Sequence, residues 1–218
     1  TKKAETAVRT DKYPHSDNDW ENFDVLHINR LPSAATFMAY TTKEKAVKND
    51  KSQSEYFQSL NGTWKFQFVP RSDQRPMDFF EKGHDVSGWG NIKVPANWEM
   101  EGYGHPFYVG AGYGIKRNPP LIAVENSPVG SYKRTFNVPA NWKGKQIVLH
   151  FGGVASAFYV WVNGEKVGYS QDSKTPSEFD ITPYAVTGQN EIAVQVFKFS
   201  DGYYLEDQDL LALCRYTT

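Results

Sequence analysis

The stretch Gly153-Val154-Ala155-Ser156-Ala157-Phe158-Tyr159-Val160-Trp161-Val162-Asn163-Gly164-Glu165-Lys166-Val167-Gly168-Tyr169-Ser170-Gln171-Asp172 decides the fold. Two apolar-alternating runs flank Asn163-Gly164. A type I′ turn needs φ > 0 at both central residues, and Asn-Gly meets that need better than almost any other pair. The reading is a strand, a tight turn and a returning strand, with Val160 and Val162 turned into a core and Asn-Gly setting the register. The chain then runs on into Pro176-Ser177-Glu178-Phe179-Asp180-Ile181-Thr182.

Working outward, the same period of two recurs. Trp64, Phe66 and Phe68 alternate with Lys65 and Gln67, the pattern of a half-buried strand. Asn91 to Val94 reads as a short strand ending at Pro95. Tyr132, Phe136 and Val138 form another run, closed by Pro139. Ile147, Leu149 and Phe151 share one face of the next, and Ile192, Val194 and Val196 share one face of residues 191–199. Turn residues separate them: Asn141, Gly144, Gly152-Gly153, Gly188 and Asn190. Several short strands without helical periodicity between them predict an all-β antiparallel sandwich or jelly roll. Residues 70–91, with Pro, Gly and charges around Phe79, Phe80 and Trp89, read as a long connection. Lys43 to Tyr56 predicts a short exposed helix. The expected division is an irregular N-terminal arm over 1–58, the sandwich over 59–209 and a separate tail over 210–218.

Composition narrows the function. The 218 residues carry 24 Lys plus Arg against 25 Asp plus Glu, a formal net charge of −1. No basic field exists to attract nucleic acid or an anionic membrane, and no apolar run approaches the length of a membrane span. Aromatics make up 15% of the chain; they suit a carbohydrate-contacting surface, but in a sandwich most of them fill the core. The one cysteine, Cys214, excludes a disulfide framework within the chain. The absence of Met before Thr1 is what a processed or trimmed N-terminus would show.

Three clusters invite chemistry. Gly110-Ala111-Gly112-Tyr113-Gly114 has the glycine density of a phosphate loop, but Arg117-Asn118-Pro119-Pro120 follows and forbids the helix that a dinucleotide fingerprint requires. A glycine-rich surface loop is the plainer reading. The five histidines (15, 27, 84, 105 and 150) show no metal-ligand spacing. Asp201, Glu206, Asp207 and Asp209 form the densest carboxylate cluster. It suits a hard cation, though its spacing is not that of a calcium loop, and it equally suits a turn whose carboxylates cap backbone N–H groups. Retaining glycoside hydrolysis needs two carboxyl groups roughly 5–5.5 Å apart; sequence spacing marks no such pair here, and no catalytic residue is assigned.

Longer motifs narrow this further. Asp19-Trp20-Glu21-Asn22 with Ile28-Asn29-Arg30, then Ser59-Leu60-Asn61-Gly62-Thr63-Trp64-Lys65-Phe66, stand in order along the chain. Val94-Pro95-Ala96-Asn97-Trp98-Glu99-Met100 with Gly102-Tyr103 and Pro106-Phe107-Tyr108 follows. Glu125-Asn126-Ser127-Pro128-Val129-Gly130-Ser131-Tyr132, the hairpin and the 200–209 run complete the set. Together they resemble the N-terminal sugar-binding domain of glycoside hydrolase family 2 β-galactosidases, from about Asp19 to Asp209.

The resemblance implies a jelly-roll, galactose-binding-domain-like sandwich that completes the pocket of a retaining β-galactosidase acting on terminal β-D-galactosides. Both catalytic glutamates would lie in a TIM barrel outside this chain, which alone is expected to be inactive. It implies that Asp201, in Ser200-Asp201-Gly202, binds galactose hydroxyls and a monovalent cation. No cofactor is expected within the chain itself; Na⁺ or Mg²⁺ belongs to the whole enzyme. A second sugar contact falls at Gly110, where the family carries Asn; a glycine offers no amide side chain but lets its backbone approach closely. After Asp209 the text leaves the family pattern, so Leu210 to Thr218, Cys214 included, reads as a foreign or frameshifted end. Expected partners are a β-galactoside, the remaining domains of the enzyme and further copies of it, in the bacterial cytoplasm or periplasm. The rival readings are a free-standing carbohydrate-binding module or lectin, and a purely structural docking domain.

Overall fold

The computed structural model describes residues 16, 18–106, 115–116 and 118–206. The hairpin forms as read: β6 (Ala157–Val162) and β7 (Glu165–Gln171) pair antiparallel around Asn163 at φ 53° and Gly164 at φ 88°. The Asn163 side chain does more than turn the chain. Its Nδ2 donates to Tyr184 O and Asn190 Oδ1, both at 2.8 Å, and its Oδ1 accepts from Glu191 N at 3.0 Å.

Around this hairpin the strands are β1 (His27–Ile28), β2 (Gly62–Val69), β3 (Gly90–Val94), β4 (Val129–Val138), β5 (Val148–Phe151), β8 (Ser177–Asp180) and β9 (Gly188–Phe197). Seven of them form one sheet in the order β1-β7-β6-β9-β4-β2-β3, and β5 pairs with β8 in a second, smaller sheet. Every pairing is antiparallel. The expected all-β sandwich is therefore the architecture. Leu149, Phe151 and Phe179 of the small sheet pack on Phe158, Val160, Val162, Ile192, Val194 and Phe66 of the large one.

The opposite face of the large sheet is covered as well. Ala157, Tyr159, Trp161, Tyr169, Ala193 and Phe197 pack under Phe79, Phe80 and Trp89 of the 70–91 connection and under Trp20. Both faces of β6 are thus buried, which is why its text is a continuous apolar run. Polar side chains fasten the connection to the sheet. Lys133 Nζ donates to Phe79 O at 3.0 Å and Glu81 O at 2.8 Å and lies 2.9 Å from Glu191 Oε1. Gln195 Nε2 donates to Pro76 O at 3.0 Å.

The N-terminal segment is irregular but attached. β1 pairs with β7, Arg30 bridges to Phe179, and Trp20 stacks on Phe197 at a ring separation of 4.1 Å and 19°. The helix read over Lys43 to Tyr56 is shorter: α1 spans Lys43–Lys48. Asn49, at φ 49°, ends it in the left-handed region, and a separate 3-10 turn follows at Lys51–Gln53.

Candidate functional site

One end of the large sheet gathers the site. Phe197 of β9 stands opposite Val129 of β4 on one side and Ala157 of β6 on the other, and Ala157 stands opposite Gln171 of β7. Four strand ends therefore meet where the chain leaves β9 into Lys198-Phe199-Ser200-Asp201. Ser156 Oγ donates to Ser200 Oγ at 3.0 Å and fixes the exit.

Asp201 lies in this turn with 1% of its surface exposed. Its backbone N–H donates to Trp20 O at 2.8 Å, and its Oδ1 accepts from Gly202 N at 2.8 Å. Oδ2 is buried and has no hydrogen-bond partner among the described residues. Burial pushes the carboxyl up to about 6; the Gly202 N–H and the Gln171 side chain pull it back, while the charge of Glu21 adds to the rise. The chain then enters a single helical turn, α2 (Tyr203–Glu206). Four residues are too few to show a helical period in the sequence.

The chain on either side of Asp201 takes part in two clusters. In one, Phe199, Tyr203 and Tyr204 pack with Ile115 and Ile122. The Tyr204 hydroxyl donates to Leu121 O at 2.7 Å, stands 3.3 Å from Lys116 O and accepts from Asn118 N at 3.2 Å. In the other, Glu99 Oε1 accepts from Trp98 Nε1 at 2.7 Å and from Lys198 Nζ, which also reaches His105 O at 3.4 Å. That ion pair ties the Trp98–Glu101 turn to the end of β9.

Of the acidic cluster read from the sequence, Asp201 is the member whose side chain is placed. Asp207 and Asp209 lie outside the described residues, as do Gly110 with its glycine-rich loop, His15 and Cys214. No group of three His, Cys, Asp or Glu side chains able to hold a metal occurs among the described residues, and no described helix is long and apolar enough to cross a membrane. Two open clefts, of about 350 Å³ beside Phe57 and Trp142 and about 380 Å³ beside Asn163 and Gln189, lie at the far end of the sheet, where Val138 pairs with Gly188. Neither touches Asp201.

The neighbours that sequence reading did not assign to the site are Trp20, Glu21 and Gln171. Glu21 is buried: its Oε1 accepts from Ile122 N at 2.7 Å, and its Oε2 accepts from Ser16 Oγ and Asn18 Nδ2, both at 2.9 Å. Its signal was the Asp19-Trp20-Glu21-Asn22 motif, which carries no spacing that points to the distant Asp201. Chemically, the arrangement offers one buried carboxylate oxygen in want of a donor or a cation.

Residues 57–216 match the family model for the sugar binding domain of glycosyl hydrolases family 2. A β-galactosidase of Priestia megaterium is 45% identical over 90% of this chain, and one of Halalkalibacterium halodurans is 42% identical over 89%. The chain spans 19% and 20% of those two relatives. Among solved structures, a Bacteroides uniformis β-glucuronidase 2 is 25% identical, with a TM-score of 0.47 over 65% of this chain and 14% of its own. With a sandwich whose strand ends converge on Ser200-Asp201-Gly202 and a family match over most of its length, the chain belongs to glycosyl hydrolase family 2, as its sugar binding domain.

Proposed function

We propose that this domain completes the substrate pocket of a retaining β-galactosidase and that Asp201 is its contact with the galactoside. One observation carries the reading: Asp201 Oδ2 is buried without a partner among the described residues. A buried acceptor left unpaired costs stability, and a sugar hydroxyl would supply the missing donor. The identity of 41–45% to β-galactosidases across nearly the whole chain favours galactose among sugars. The acid/base and nucleophile of the hydrolysis would come from the remainder of the enzyme. Gly110 is a second candidate contact, through its backbone.

A monovalent cation at Asp201 belongs to the same proposal. Its unshared oxygen is a hard ligand of the kind Na⁺ takes, and the nearby charge of Glu21 favours a cation there. The other ligands would be sugar hydroxyls and oxygen atoms beyond the described residues.

The test is Asp201→Ala in the full-length enzyme, assayed on a chromogenic β-galactoside. Loss of one charge-assisted hydrogen bond should lower kcat/KM about 10- to 100-fold, and an unchanged value would remove Asp201 from the pocket. Millimolar galactoside binding by the isolated 218-residue chain, seen as NMR shift changes, would instead favour a self-sufficient binding module.

A further inference from the structure

Glu21 is a buried carboxylate with three donors and no ion pair to a Lys or Arg among the described residues. Burying such a charge is costly, so the geometry that retains it is informative. The donors come from two separate pieces of chain. Ser16 and Asn18 belong to its own segment, and Ile122 belongs to the stretch that leads into β4. Glu21 therefore staples residues 16–21 to residues 118–122.

Both pieces also grip the Asp201 turn. The residue before Glu21 receives the Asp201 N–H on its carbonyl at 2.8 Å. The residue before Ile122 receives the Tyr204 hydroxyl at 2.7 Å, three positions beyond Asp201. Asp201 to Trp20, Glu21 to Ile122, and Leu121 to Tyr204 close a ring of hydrogen bonds in which Glu21 is the one charged link. Breaking that link uncouples the two pieces that hold the Asp201 turn.

We infer that Glu21 is a positioning residue for sugar binding: through Trp20 and the 118–122 stretch it fixes where the Asp201 carboxylate stands in the pocket. The inference rests on the proposed role of Asp201, and its test separates the two.

In the full-length enzyme, KM and kcat for a β-galactoside are measured for Asp201→Asn, Glu21→Ala and Glu21→Gln, with active sites counted by titration. Glu21→Ala should raise KM roughly ten- to a hundredfold, the cost of a small misplacement of a binding group. Glu21→Gln keeps an acceptor for the Ile122 N–H and should restore most of the affinity. A staple that serves stability alone would lower the melting temperature and the fraction of active molecules while leaving KM per active site at the wild-type value. That result, with Asp201→Asn still raising KM, overturns the inference and leaves the proposed function standing. An unchanged KM in Asp201→Asn overturns both. If Glu21→Ala does not fold, Asn18→Ala, which removes one donor from Oε2, is read in its place with the same two outcomes.

Discussion

The backbone N–H of Asp201 donates to the carbonyl oxygen of Trp20 at 2.8 Å, so the irregular N-terminal segment reaches the turn that carries the candidate sugar-binding carboxylate. Trp20 is held for that task. Its ring stacks on Phe197 at 4.1 Å, and the guanidinium of Arg75 lies 4.9 Å above it.

Trp20→Ala removes the ring that both Phe197 and Arg75 contact and leaves a cavity beside the end of β9. Large-to-small changes of this kind cost about 3–5 kcal/mol. Urea unfolding of the chain should show a lower midpoint, and the Asp201 amide should exchange with solvent faster because its acceptor is no longer anchored. A midpoint within error of wild type would mean that the ring is not part of the core.

Stability should fall as pH rises through the Asp201 titration. Burial lifts the folded-state value to about 6 from an ordinary 3.8. Between those values the folded protein holds a proton that the unfolded chain has released. The stabilising contribution is then complete below 3.8 and is lost as pH passes 6. Asp201→Asn has no such proton to lose. Its stability relative to wild type should therefore increase from about pH 4 to about pH 7, by on the order of 2 kcal/mol. Parallel pH–stability curves for the two proteins would refute the shift.

Sequence legibility follows the range of the interactions. Asn163-Gly164 announced its turn because the needed backbone conformation is a property of those two residues, and the structure places both at positive φ. The inner face of the sandwich was legible from alternation at Trp64, Phe66, Val160, Val162, Ile192 and Val194. The second buried face was not. Lys65, Lys133 and Gln195 occupy positions that alternation assigns to solvent, yet each donates to a carbonyl of the 70–91 connection that covers them. At the site, Asp201 was legible only as part of the family's Ser-Asp-Gly motif. Its partners Trp20 and Glu21 come from the other end of the chain, and no local pattern encodes their meeting.

Lys133 offers a test of that hidden face. Its side chain is 3% exposed; it donates to Phe79 O and Glu81 O, and it stands 2.9 Å from Glu191 Oε1 as an ion pair. Lys133→Met strands both carbonyls, leaves the Glu191 charge without its ion-pair partner and should cost about 3–5 kcal/mol in denaturant unfolding. Glu191→Leu should cost less, since Lys133 keeps both carbonyls. For an isolated buried ion pair, replacing both members by apolar residues can be neutral. Here the double variant should remain destabilised, because the two carbonyls stay unpaired. Full recovery in the double variant would show that Glu191 alone accounts for the lysine.

Gly168 sets how the arm joins the sheet. A Cβ at this position would stand 2.4 Å from Ile28 O and 2.6 Å from Phe179 Cε1. The first atom is backbone of β1 and the second belongs to a fully buried ring, so neither yields by a simple side-chain rotation. Gly168→Ala must push the edge strand away from β7 or shift β8 in the small sheet. Overpacking of this order costs about 1–3 kcal/mol. The edge strand is the cheaper element to displace, because His27–Ile28 contributes only two residues of pairing. The variant should therefore keep a folded sandwich while protease cleavage between residues 22 and 32 accelerates. Unchanged cleavage there, together with a lower unfolding midpoint, would show that the small sheet moves instead.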